Sequence, residues 1–108
     1  MRHQKILSGF IRLHVLHHAA KHPIFGNWMI EELEEHGYKI SPGTIYPLLH
    51  GMEEEGYLIS REEQDEGRTR RLYSATDLGR EALGEATERL RELFREVVEG
   101  HEPGGKQD

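Results

Sequence analysis

The chain has no cysteine, one tryptophan and three phenylalanines among its 108 residues. Missing thiols exclude disulfides, thiolate metal sites and a cysteine nucleophile in one step. No apolar run reaches the roughly 18 residues of a membrane span. The first twenty residues carry Lys, Arg and His throughout and offer no small-residue cleavage site, so the expectation is a cytoplasmic chain. Glycine-rich phosphate loops, nucleophile–base pairs, isolated carboxylate pairs and internal repeats are also lacking. The Glu clusters at 31–35 and 53–55 read as solvated helix faces, so no enzyme and no cofactor is expected. A chain this short has room for one compact domain with one appended element.

What is present is unevenly distributed. The net charge is -6, but residues 1–30 carry +4 with no acid, and residues 67–76 carry +3 from Arg68, Arg70 and Arg71. Residues 31–66 hold -9 and residues 77–108 hold -4. Two basic islands in an acidic body can focus positive potential on one face.

Apolar residues from Ile6 to Ala20 recur at steps of three and four, marking a first helix that closes before Pro23. GNWMIEELEEHG places Trp28, Met29, Ile30 and Leu33 on one face of a second helix, with Gly37 suited to a left-handed cap. In SPGTIYPLLHGMEEEG, Ser41 is a good N-cap, Pro42 fits the first helical position, and Ile45, Leu48, Leu49 and Met52 form the apolar stripe. Pro47 predicts a kink in this third helix. Tyr57–Glu63 and Thr69–Ala75 read as the strands of a two-stranded hairpin turning at Asp65–Gly67. Thr76 caps a last helix in which Leu83, Ala86, Leu90, Leu93 and Val97 hold heptad spacing, so that helix wants a partner. The fold class is mainly α with a small β-hairpin: a winged helix-turn-helix over residues 1–76, a dimerisation helix over 77–99, and a disordered tail over 100–108. The same scaffold also serves as a protein-interaction module, so the outline alone leaves the partner open.

SPGTIYPLLHGMEEEGYLISREE followed by GRTRRLYSATDLGREAL resembles the PadR family of bacterial and archaeal transcriptional repressors. The Pro-Gly-Thr-x-Tyr-Pro-x-Leu helix, the E-x-G step into the wing and the T-x-x-G-R opening of the last helix come in the family's order. The resemblance covers roughly residues 6–90 and is to the short subfamily, whose single C-terminal helix makes the homodimer. Ser8 stands where family members often carry Lys, and Phe25 and Trp28 stand where they often carry Tyr. The last helix also lacks the Trp that stacks planar drugs in some members.

The resemblance implies a repressor of double-stranded operator DNA. Ser41, Thr44, Tyr46 and His50 lie off the apolar stripe of the third helix, where a recognition helix meets the major groove. Tyr46 can instead pack against the wing. Arg68 and Arg70 are assigned to phosphates or a minor groove, with Arg71 on the opposite strand face. The competing reading pairs these arginines with Glu62, Glu63 and Asp65. Lys5 remains as a phosphate contact of the first helix. In the family, effectors enter between the DNA-binding domains and the dimer helices, which here implies a small hydrophobic ligand among Leu7, Phe10, Ile11, His14, Leu90 and Phe94. No metal is expected. The weaker alternative is a metal-sensing face built from His14, His18 and His22, which step by four residues.

Overall fold

The computed structural model describes residues 2–101. Helix α1 (Gln4–Lys21) buries Ile11, Val15, Leu16 and Ala19, one stripe of a helix that ends as Pro23 approaches. Strand β1 (Ile24–Phe25) follows, then α2 (Gly26–Glu35) and α3 (Pro42–Glu54). Met29 and Leu33 of α2 and Ile45, Leu49 and Met52 of α3 close over the α1 stripe to form the core. Trp28, expected on the same face as Met29, sits at the core's edge and packs edge-on against His18 and His22.

Helices α2 and α3 stop in the same way. At Gly37 and Gly56 the backbone turns left-handed, with φ of 91° and 92°. The next residue's N–H then reaches back five residues, Tyr38 to the Leu33 carbonyl and Tyr57 to the Met52 carbonyl, both at 2.9 Å. That bond takes the Tyr57 N–H, and the strand after α3 begins one residue later than the sequence suggests. The kink expected at Pro47 does not interrupt α3, because the ring lies on the exposed side and removes only the bond to Gly43.

Strands β2 (Leu58–Asp65) and β3 (Arg68–Ala75) pair antiparallel from Leu58↔Ala75 to Asp65↔Arg68. Pairing thus runs two residues further along β2 than the expected end at Glu63. Glu66 and Gly67 alone make the turn, both with positive φ, as the twist of a two-residue hairpin demands. The wing is not two-stranded: β1 adds to β3 through Ile24↔Tyr73 and Phe25↔Leu72, and the sheet order is β1-β3-β2.

Helix α4 (Asp77–Leu93) starts at Thr76, whose hydroxyl accepts from the Gly79 N–H at 3.0 Å and donates to the Gly56 carbonyl at 2.5 Å. Its first turns belong to the core, where Gly79 is buried and Ala82 and Leu83 pack in. Arg80 bonds the Ala20 carbonyl at 2.9 Å, so α4 runs back along α1. It then projects outward, giving extents of 60 × 31 × 20 Å. The radius of gyration of 16.1 Å exceeds the roughly 13 Å of a compact chain of this length. The expected uniform helix to Glu99 is α-helical only to Leu93. Phe94–Val98 is a π-helical turn, closed by Glu99 N–H to Phe94 O at 3.2 Å. Of the expected tail, Gly100 and His101 follow this turn, with His101 bonded to Arg95 at 2.9 Å. Residues 102–108 lie outside the described residues. Among the described residues no helix is long and apolar enough to cross a membrane.

A Cβ on Gly79 would fall on the Tyr57 carbonyl oxygen, with the Leu16 methyl also at 3.3 Å. Gly79→Ala should therefore lift α4 off the wing base and cost roughly 1–3 kcal/mol, as overpacking does. Gly84→Ala, where nothing lies within 4 Å, should be neutral or stabilising. Urea denaturation midpoints of the two variants check the contrast.

Candidate nucleic-acid interface

The third helix and the wing meet around a cleft of about 370 Å³. Tyr46 of α3 lines one side, and Arg68, Thr69, Arg70 and Arg71 of β3 line the other. The floor is Phe25, Gly26 and Asn27, where β1 passes into α2. Sequence reasoning missed these three residues. Nothing periodic marks a two-residue strand, and only the pairing to β3 brings them under the cleft.

Ser41 occupies the N-cap position of α3 but makes no side-chain cap bond; its main-chain carbonyl accepts from Thr44 and Ile45 at 2.9 and 3.0 Å. Pro42 offers no N–H, and the exposed Ser41 hydroxyl is left for another partner. Thr44 is half-buried at the start of the helix, and His50 is exposed, 3.8 Å from Glu54. The Tyr46 hydroxyl donates to Asn27 Oδ1 at 3.2 Å. Tyr46 thus packs toward α2 while keeping 39 % of its surface exposed. Arg68, exposed at the wing tip, makes no ion pair among the described residues. Arg70 does: it binds Asp65 and lies 4.1 Å over the Phe25 ring. Arg71, expected on the opposite strand face, reaches Ser60 and Glu62 but also lines the cleft. Lys5 is exposed on the first turn of α1 and does not line the cleft.

A family model described as the transcriptional regulator PadR-like family matches residues 15–85. The chain belongs to the PadR-like family of transcriptional regulators. It is 51% identical over 90 residues to transcriptional regulator Rv3488 of Mycobacterium tuberculosis, covering 83% of this chain and 84% of that one. Its fold is similar to crystal structures of transcriptional regulator TA0346 from Thermoplasma acidophilum and of a PadR-like transcriptional regulator from Bacillus cereus. The first has a TM-score of 0.79 at 32% identity, covering 89% of this chain and 93% of its own. The second has a TM-score of 0.79 at 27% identity, covering 88% and 94%.

Away from the cleft, this PadR-like chain exposes apolar surface along α1 and α4. Ile6, Phe10 and Leu13 face Ala86, Leu90 and Leu93 across a groove of about 350 Å³, in which Ile6 is 76 % exposed. A neighbouring groove of about 250 Å³ gathers Phe10, His14 and Leu90 of the expected effector residues, together with Leu13, His17, Leu83 and Thr87. The rest of that set is dispersed. Ile11, one helical step from Phe10, turns into the core; Leu7 lines neither groove; Phe94, one turn past Leu90, borders a further groove with Arg91 and Arg95 that shares Leu90 and Thr87 with this one.

The histidines also separate. His14 stacks on His36 with ring centroids 5.1 Å apart, His18 lies 3.4 Å from Glu32, and His22 Nδ1 lies 3.0 Å from the Pro23 carbonyl. Glu32 also contacts His36 at 3.3 Å. No group of three His or carboxylate side chains among the described residues could hold a metal ion, so the face of His14, His18 and His22 is not assembled as one site. Burial lowers the His14 imidazole below its ordinary value, and His36 and His17 push it the same way. Burial also lowers His18, with Glu32 pulling upward.

Both net shifts are downward, so the folded chain binds fewer protons on these rings than the unfolded chain does. Their stabilising contribution is full above the unfolded value, about pH 6.5, and is lost as pH falls through the lower folded values. The thermal midpoint should drop between about pH 7.5 and 5.5, and His14→Gln should flatten that drop. An identical pH profile in the variant would contradict the assignment.

Proposed function

We propose that this PadR-like regulator represses transcription as a homodimer that sets two copies of α3 in successive major grooves of a pseudo-palindromic operator. One observation carries the reading. In a chain of net charge -6, Arg68, Arg70 and Tyr46 converge with Asn27 on a single cleft beside the exposed N-terminal half of α3. Ser41, Thr44 and His50 reach base edges, and the wing arginines and Lys5 meet phosphates. Repression follows by occlusion of the promoter.

The dimer contact uses Leu83, Ala86, Leu90, Leu93 and Val97 of the α4 arm, joined by Ile6 and Phe10 of α1. Residues 1–76 then act as the DNA-binding part and 77–99 as the dimerisation arm. An unpaired stripe in which Leu93 is 44 % and Val97 69 % exposed is costly in water, which supports a partner helix. A small hydrophobic effector seated against Phe10, His14 and Leu90 would release DNA by binding one spacing of the two wings better than the other.

Arg68→Ala and Arg70→Ala should each weaken binding to every duplex and flatten its salt dependence by roughly one unit per lost phosphate contact. Thr44→Ala and His50→Ala should instead change which sequence is preferred. Anisotropy titrations of labelled duplexes across salt concentrations measure both effects, and indifference of all four variants would overturn the DNA reading. For assembly, sedimentation of the wild type at micromolar concentration should give a dimer. Leu90→Asp should give monomer or unfolded chain and lose operator binding.

A further inference from the structure

The cleft between α3 and the wing stands on a floor of three consecutive residues. Each floor residue does something different. Phe25 pairs with Leu72 across β1 and β3, which makes Arg70, two residues back on β3, its diagonal neighbour. The Arg70 guanidinium lies 4.1 Å over the Phe25 ring while its edge binds Asp65, so the side chain is held on a ring face and at one end. Gly26 is buried, and a Cβ there would overlap the Tyr46 ring, so only glycine lets that ring lie down on the start of α2. Asn27 accepts the Tyr46 hydroxyl at 3.2 Å.

We infer that Phe25, Gly26 and Asn27 are the positioning element of the DNA-facing cleft, holding Arg70 of the wing and Tyr46 of α3 where a phosphate backbone meets them. This rests on the DNA reading above and adds three residues to it. An arginine or tyrosine left free must be ordered when the duplex arrives, and that ordering weakens binding; one already seated does not carry that cost. The seat has a second consequence. Because Phe25 is stitched to β3 and Asn27, in the first turn of α2, holds Tyr46, one short run of the chain touches both the wing and the recognition helix. The floor is uncharged, yet it governs a charged contact.

Double-mutant cycles on duplex affinity test this. Phe25→Leu keeps apolar bulk but removes the ring face, and Phe25→Tyr restores it. Phe25→Leu and Arg70→Ala should each weaken binding about three- to tenfold, and their combination should be no weaker than Arg70→Ala alone. Phe25→Leu should also lose roughly one unit of salt slope although it removes no charge, and Phe25→Tyr should behave as wild type. Asn27→Ala and Tyr46→Phe should couple in the same way. If Phe25→Leu fails to fold by circular dichroism, the exposed Asn27–Tyr46 pair decides alone. Losses that multiply, or a Phe25→Leu variant with wild-type affinity and slope, overturn the inference while leaving the DNA reading intact. A wild type without salt-dependent duplex binding overturns the DNA reading and this inference with it.

Discussion

The rest of the molecule depends on the joint burial of Ile11 and Val15 from α1, Met29 and Leu33 from α2, and Ile45 and Leu49 from α3, all of them essentially closed to solvent. Each such side chain contributes on the order of 1.5–3 kcal/mol when removed from water, which local helix propensity in a 10-residue or 13-residue segment cannot match. Because these residues pack as solids rather than as an oil, the three helices have little freedom to change their mutual angles. The exposed side of α3 is defined by that packing: what does not enter the core at Ile45 and Leu49 is what remains available at Ser41, Tyr46 and His50.

A second layer of constraint joins this core to the wing and the arm. Thr76 links three chain segments through one hydroxyl, bonding the carbonyl at the end of α3 and the N–H that opens α4, while its own N–H bonds the Tyr57 carbonyl at 3.1 Å. The wing is therefore pinched at its base. Glu53 adds to this by accepting from the Ser60 N–H at 3.0 Å and from its hydroxyl at 2.8 Å. The far end of the hairpin is held by its strand pairing, by Gln64 donating to Thr69 at 2.9 Å and by its arginine pairs, and it carries Arg68 and Arg70. Rigid base and charged tip are the arrangement in which a wing can follow a phosphate backbone without disturbing the core.

Charge works locally here. Many of the acids sit on α2, α3 and α4, whereas the cleft is lined by Arg68, Arg70 and Arg71, of which Arg70 binds Asp65 and Arg71 lies 3.7 Å from Glu62. With a Debye length of about 8 Å at physiological salt, the acids of the helices are largely screened at the wing, and a phosphate there meets its arginines together with the hairpin's own acids. The histidine-rich α1 belongs to a different economy of contacts, in which His14 and His18 are half-buried against α2 and carry their weight as neutral rings.

Sequence periodicity was enough for the four helices, the hairpin and the apolar stripe of α4, because each repeats over ten or more residues or carries its own stop: Gly37, Gly56 and Thr76 all act where their chemistry demands. A strand's period of two separates Arg71 from Arg68 and Arg70 in the sequence, whereas all three line the cleft in the structure. Motif order placed Ser41, Thr44, Tyr46 and His50 on one helix. What it did not reach were contacts made across the chain. Strand β1 is two residues long and exists only because β3 pairs with it. The Arg70–Phe25 stack, the Tyr46–Asn27 bond and the dispersal of Ile11 and Phe94 from the expected pocket depend on helix phase and crossing. The π turn at Phe94–Val98 has no mark in the residue pattern either, which continues in heptad steps to Val97. The sequence by itself determined which segments are helix, wing and arm, because those follow from local stereochemistry and from which side chains shun water. Only the tertiary structure decided which residues share a cleft, because distances between segments far apart in the chain are set by packing, and packing has no linear signature.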